Sequence, residues 1–209
     1  MLKLKKLALA VLASTNASDL DSIVNAIENS VLNAEIKCLV SNKENAGCVE
    51  RAKKYGIEVI VINHKDFENR EAFDKKVSEE LEKRNIDLIV LIGYMLIMSD
   101  WFVKKYKGKI MNVHPSLLPA FGGGMDKNVH QEVLDSGVDV TGATIHFVTE
   151  EVDSGPIIMQ KSVPVDKSDT VETLKAKVQK LEQEMFPKAI QLFAEGKLKI
   201  EGNKVRILK

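Results

Sequence analysis

Leu7-Ala8-Leu9-Ala10-Val11-Leu12-Ala13 runs directly into Ser14-Thr15-Asn16-Ala17-Ser18-Asp19. A short unbroken apolar run bounded by turn residues reads as a strand buried on both faces, the kind that parallel sheets use. The same unit recurs downstream. Residues 36–40, 59–62 and 88–92 are further runs rich in Val, Ile and Leu, and residues 19–31, 45–55 and 70–84 between them have helical periodicity with charged faces. Strand–helix–strand alternation at this spacing implies right-handed crossovers and a parallel sheet covered by helices on both faces. The expected fold class is α/β, a three-layer sandwich with a mostly parallel twisted sheet in the N-terminal half.

Working outward, Met1-Leu2-Lys3-Leu4-Lys5-Lys6 before the first run imitates the basic start of a secretion signal. The apolar stretch is short for that purpose, and a buried strand is the preferred reading. No stretch approaches the roughly 20 apolar residues of a membrane span. Downstream, residues 109–113 form a fifth strand, followed by Pro115-Ser116-Leu117-Leu118-Pro119 and Gly122-Gly123-Gly124, read as a loop. Residues 140–148 and 157–165 are strands joined through a turn at Asp153-Ser154-Gly155-Pro156. Residues 170–195 make a long amphipathic helix carrying Leu174, Val178, Leu181, Met185, Ile190 and Phe193. A hairpin of 198–200 and 205–208 about Gly202-Asn203 ends the chain. The C-terminal part should therefore be a mixed sheet with a long helix and a hairpin, in one domain of 209 residues.

Lysine plus arginine and aspartate plus glutamate balance at 30 each, with no block of five or six like charges. That argues against a nucleic-acid partner or a membrane anchor and for small-molecule substrates. Cys38 and Cys48 make neither a disulfide framework nor a metal site, and His64, His130 and His146 lack metal-ligand spacing. Cys38, inside an apolar run, reads as a buried inert thiol, and reduced thiols fit a cytoplasmic protein. No metal is expected.

In a parallel sheet, ligands sit beyond the carboxyl ends of the strands. Asn112 and His114 end the fifth strand, and period-two alternation puts them on one side. An amide donor beside an imidazole can hold developing negative charge and move a proton; a structural histidine bonded to the loop backbone is the alternative. Asp153 belongs to ordinary turn chemistry unless it faces His114, where a carboxylate would orient the ring. Exposed N–H groups at the helix after Ser14–Ser18 attract anions, while Asp19 is also a plain N-cap candidate. His146 reads as a core or edge histidine, and Glu182 as a solvated charge on the long helix.

Two segments carry a resemblance: Asn112-Val113-His114-Pro115-Ser116-Leu117-Leu118-Pro119, and Gly142-Ala143-Thr144-Ile145-His146-Phe147-Val148-Thr149-Glu150-Glu151-Val152-Asp153-Ser154-Gly155-Pro156. Together they resemble the formyltransferase family, in its folate-dependent purine-synthesis branch. The likeness runs from the first strand to about residue 198, with support from Ser41-Asn42-Lys43, Arg70-Glu71-Ala72-Phe73 and Val178-Gln179 with Glu182 and Phe186-Pro187. It implies transfer of a formyl group from 10-formyltetrahydrofolate, as co-substrate, to the amine of glycinamide ribonucleotide. Asn112 and His114 would stabilise the tetrahedral oxyanion, and Asp153 would hold His114 protonated and assist proton transfer through water. The folate would lie among Met95, Leu96, Ile97, Met98, Asn112, Val148, Thr149, Glu150, Glu151 and Asp153, with Arg70 near its glutamyl tail. The acceptor would take Thr15, Asn16, Ala17, Ser18, Asp19, Pro115, Gln179 and Glu182. Residues 1–108 would be the nucleotide/phosphate half and 109–209 the catalytic and folate half, in a monomer or homodimer.

The sequence departs from the family pattern at the first loop, where Thr15 and Ala17 replace two usual glycines and Asp19 stands where asparagine is usual. Leu96 holds a place often given to arginine, and residues 122–128 make a longer variant loop. The implied alternatives are a formyltetrahydrofolate hydrolase, which normally carries an N-terminal regulatory domain not expected here, a formyltransferase for another amine, and a non-catalytic ligand-binding relative.

Overall fold

The computed structural model describes residues 5–123 and 128–209. The first four residues of the basic start and residues 124–127 of the variant loop lie outside the described residues. The chain runs β1 (Leu7–Ala13), α1 (Leu20–Glu28), β2 (Ala34–Ser41), α2 (Gly47–Lys54), β3 (Val59–Val61), a 3-10 turn (His64–Asp66), α3 (Arg70–Lys83), β4 (Leu88–Leu91), α4 (Asp100–Lys105), β5 (Ile110–His114), α5 (Val129–Ser136), β6 (Val140–Phe147), β7 (Ile157–Pro164), α6 (Val171–Ala194), β8 (Leu198–Glu201) and β9 (Lys204–Ile207). The strands form one nine-stranded sheet in the order β3-β2-β1-β4-β5-β6-β7-β9-β8. The first five positions are parallel; β6 and β7 are antiparallel additions, β9 pairs parallel to β7, and β8 closes the edge antiparallel.

Alternation along β1 builds both layers of core. Leu9, Val11 and Ala13 face one cluster with Leu20 and Ile23 of α1, Val49 of α2 and Phe186 of α6. Ala10 and Leu12 face the other, with Phe73 and Val77 of α3 and Phe102 of α4. Chain order reverses in the sheet between β1 and β4, and at such a switch point the two loops leave in opposite directions and open a crevice. The crevice walls are tied: Ser14 N donates to the Gly93 carbonyl at 3.0 Å, and Met95 N donates to Ser14 Oγ at 2.9 Å. Gly93 turns there with φ of +57°, a conformation that favours glycine.

The strands and long helices follow the sequence pattern to within a few residues, and two helices, α4 and α5, lie in segments to which the pattern assigned no element. Asn128 caps α5, its Oδ1 accepting from Gln131 N at 3.3 Å, and Ser99 caps α4. Helix α6 starts at Thr170 in a reciprocal capping box with Thr173 and buries Leu174, Val178, Met185 and Ile190. Both cysteines are buried and free.

Candidate active site

On β5, Met111 and Val113 join the α1/α6 core while Ile110 joins the α3/α4 core. Asn112 and His114 therefore share the second face. Register brings in two more side chains, because Asn112 pairs with His146 and His114 with Thr144 on β6, and directly opposed residues project to the same side. Thr144 is structural: its Oγ1 donates to the Ser116 carbonyl at 2.7 Å and accepts from Leu118 N at 3.1 Å, pinning the Pro115–Pro119 loop.

Past β6 the chain arches back over this face. A Cβ on Gly155 would lie 1.8 Å from the Phe147 carbonyl oxygen, so only glycine lets the turn settle on the strand. Asp153 adopts a φ of +54°, which aspartate tolerates better than most residues. The result is a cluster. Asp153 Oδ2 lies 3.4 Å from His114 Nδ1, and its Oδ1 lies 3.8 Å from His146 Nε2. Asp153 Oδ2 also accepts from Gly123 N at 2.9 Å, and His114 Nε2 bonds the Phe121 carbonyl at 3.0 Å. Asn112 Nδ2 donates to His146 Nε2 at 3.1 Å, while His146 Nδ1 donates to the Phe147 carbonyl at 3.0 Å. Burial lowers the proton affinity of His146, with smaller opposing contributions from that carbonyl and Asp153. A neutral His146 with its proton on Nδ1 accepts from Asn112 and fixes its amide, leaving a second N–H for a ligand. His146 is a core histidine, as read, at 2% exposure; the sequence reading missed its bond to the site's amide.

Two cavities adjoin the cluster. The first, about 70 Å³, is a slot walled by Leu91, Tyr94, Leu96, Ile97, Met98, Val103 and Val148 that ends on Asn112, His146 and Asp153, with Thr149, Glu150 and Val152 at its rim. Met95 and Glu151, expected there, do not line it. Met95 instead joins Arg70 in an adjoining space with His64, Phe67 and Phe73, which shares Leu96 and Ile97 with the slot. Arg70 is thus one cavity away from the cluster, where an extended ligand's tail would emerge.

The second cavity, about 420 Å³, takes in every residue expected for the acceptor: Thr15, Asn16, Ala17, Ser18, Asp19, Pro115, Gln179 and Glu182. It adds Arg51, Gly93, His130 and Lys175, which the sequence reading did not assign to the acceptor. Glu182 is not a solvated surface charge; burial, and then the charge of Asp19, lift it to about 8. Asp19 holds the N-cap position of α1, as read, but only its backbone carbonyl bonds the helix; its side chain makes no cap hydrogen bond. Both cavities draw on residues before and after position 108. Among the described residues no group of three or more His, Cys, Asp or Glu is arranged to hold a metal ion, and no helix is long and apolar enough to cross a membrane.

Residues 7–190 match the model of a family described as formyl transferase. The chain is 37% identical over 195 residues to the phosphoribosylglycinamide formyltransferase of Escherichia coli, covering 93% of this chain and 91% of that one. It is 45% identical to the trifunctional purine biosynthetic protein adenosine-3 of Bos taurus over 95% of this chain, but spans only 19% of that protein's length. The structure of glycinamide ribonucleotide transformylase 1 from Symbiobacterium toebii superposes with a TM-score of 0.94 at 37% identity, covering 99% of this chain and 96% of that one. A formyltetrahydrofolate deformylase from Pseudomonas syringae superposes at 0.88 with 25% identity, over 98% of this chain and 66% of that one.

Proposed function

The chain belongs to the formyl transferase family, and on that premise we propose that it transfers the formyl group of 10-formyltetrahydrofolate to the amine of glycinamide ribonucleotide. The observation that carries the reading is the convergence of Asn112, His114 and Asp153 at the end of the apolar slot, with His114 and Asp153 at 3.4 Å and the second cavity reaching Val113 and Pro115 on either side of His114. The apolar slot suits a flat pterin, with polar groups at its end on the cluster and at its rim. When bound there, the folate supplies an activated formyl carbon next to Asn112. The free N–H of the Asn112 amide donates to the oxygen that gains charge, and one such preorganised donor is worth about 3–4 kcal/mol in the barrier. His114 and Asp153 move the proton from the attacking amine toward the departing nitrogen, directly or through one water.

The second cavity holds the acceptor, with Gln179 and Glu182 toward its glycinamide and ribose portion and the 14–19 loop toward its phosphate. Arg70 receives the folate's glutamyl tail through the adjoining space. Residues 1–108 supply the phosphate loop and 109–209 the catalytic cluster, in a cytoplasmic monomer or homodimer. Incubating the protein with formyl-folate, with and without glycinamide ribonucleotide, tests the reading. Formyl-folate loss that requires the acceptor supports it; equal loss without acceptor, releasing formate, would make the protein a hydrolase.

A further inference from the structure

Asp19 is 4% exposed and lines the acceptor cavity. Its side chain makes no cap hydrogen bond, and Oδ1 is buried with no partner among the described residues. A buried carboxyl left without hydrogen bonds favours its neutral form. Burial lifts Asp19 to about 7, with Arg51 opposing and Asp21 assisting. The charged groups around it do not relieve this. Arg51 on α2 is committed to Asp21 of α1 and to the Asn16 carbonyl. Lys175 on α6 is exposed, and Glu182 on the same helix is a half-buried carboxyl. His130 on α5 is driven down to about 4, chiefly by burial, and is neutral. Both carboxyl groups line one cavity, and the charge of Asp19 opposes ionisation of Glu182.

Residues 15–19, which lead into α1, line the same cavity, and the positive end of the helix dipole favours an anion there. We propose that Asp19 is a specificity-determining residue of the acceptor site, donating its carboxyl hydrogen to the acceptor's phosphate. The proposal rests on the acceptor reading above. The neutral acid bonds a phosphate oxygen that a carboxylate would repel, so proton and phosphate bind together. A loop with side chains at Thr15 and Ala17, where glycine would give closer backbone approach, gains a donor in this way.

The experiment is calorimetric binding of glycinamide ribonucleotide, alongside its Michaelis constant, from pH 6 to 8.5 in wild-type protein and Asp19→Asn. A required proton released at about 7 costs tenfold per pH unit above that point, so wild-type affinity should fall roughly 10- to 30-fold across the range. Asp19→Asn, whose amide donates at every pH, should lose the step near 7 and keep only those of the phosphate, whose second ionisation is near pH 6, and of Glu182, and should bind more tightly than wild type at pH 8.5. In the wild type, the ¹³C carboxyl signal of Asp19 should titrate near neutrality in the free protein and stay protonated at pH 8 when ligand is bound. Parallel pH profiles, weaker binding by Asp19→Asn at pH 8.5, or an ionised Asp19 in the complex would overturn the proposal. Absence of binding by both proteins at every pH would instead overturn the acceptor assignment on which it rests.

Discussion

Asn112, His114 and Asp153 show what one-dimensional pattern carries. Period two was enough to place Asn112 and His114 on one face, and the structure puts them there. Asp153 was visible only through its motif, because nothing local says that a turn will fold back across a strand. His146 was legible only once the β5–β6 register opposed it to Asn112, and Glu182 only through the resemblance, since spacing alone made it a solvated charge. His114→Ala should lower turnover by roughly 10²–10⁴-fold with the fold intact, the range for losing a general acid–base group; steady-state rates within a few fold of wild type would make His114 structural. His146→Ala removes the acceptor that fixes the Asn112 amide at 3.1 Å. One hydrogen bond is worth about 1 kcal/mol, or a little more for a buried group, so kcat should fall about tenfold with both Michaelis constants nearly unchanged. A rise in either constant with kcat preserved would show that His146 shapes a binding wall and does not position the amide.

At the scale of elements, long periodic segments were readable and short ones were not. Helix α6 declares itself through Leu174, Val178 and Met185 and a capping threonine. Helix α4 has six residues, too few for a period to show, and is held by its Ser99 cap and by Phe102 and Val103 in the core. Helix α5 is masked in the sequence by the glycine run that precedes it. The turn after β6 decides where Asp153 lies, and its tolerance is set at Gly155. Gly155→Ala places a methyl 1.8 Å from a backbone carbonyl, which strand and turn must part to admit. Overpacking of this kind costs about 1–3 kcal/mol, and displacing Asp153 should cost turnover more than tenfold. Denaturant unfolding with steady-state kinetics checks both; unchanged kcat would mean that the carboxylate does not need this turn. The Leu96 departure should leave folate binding intact, since Leu96 packs into an apolar wall with Ile97 and Met98. No binding of a folate analogue at millimolar concentration would contradict that.

For the whole molecule, the fold class was written in the alternation of apolar runs and charged helices, whereas the crevice needed strand order, which no local pattern carries. Burial around that crevice also makes stability depend on pH. Asp19 and Glu182 hold protons in the folded state that the unfolded chain releases near pH 4, so stability present at low pH is lost as pH rises toward about 7 to 8. His130, lowered to about 4, acts oppositely: its contribution is present above about pH 6.5 and lost as pH falls toward 4. Asp19→Asn should therefore raise the melting temperature at pH 8.5 by a few degrees, about 1 kcal/mol being worth roughly 2–4 °C at this size, and by less at pH 5. An equal change at both pH values would mean that Asp19 is not a buried acid. The central claim is that one cluster at the end of the apolar slot moves a formyl group from folate to a ribonucleotide amine. The most direct test follows a labelled formyl group from 10-formyltetrahydrofolate in single turnovers with glycinamide ribonucleotide, using wild type and His114→Ala. The account expects the label on the acceptor's amine, at a rate 10²–10⁴-fold lower in the variant; label recovered as formate, or transferred equally well by the variant, would contradict it.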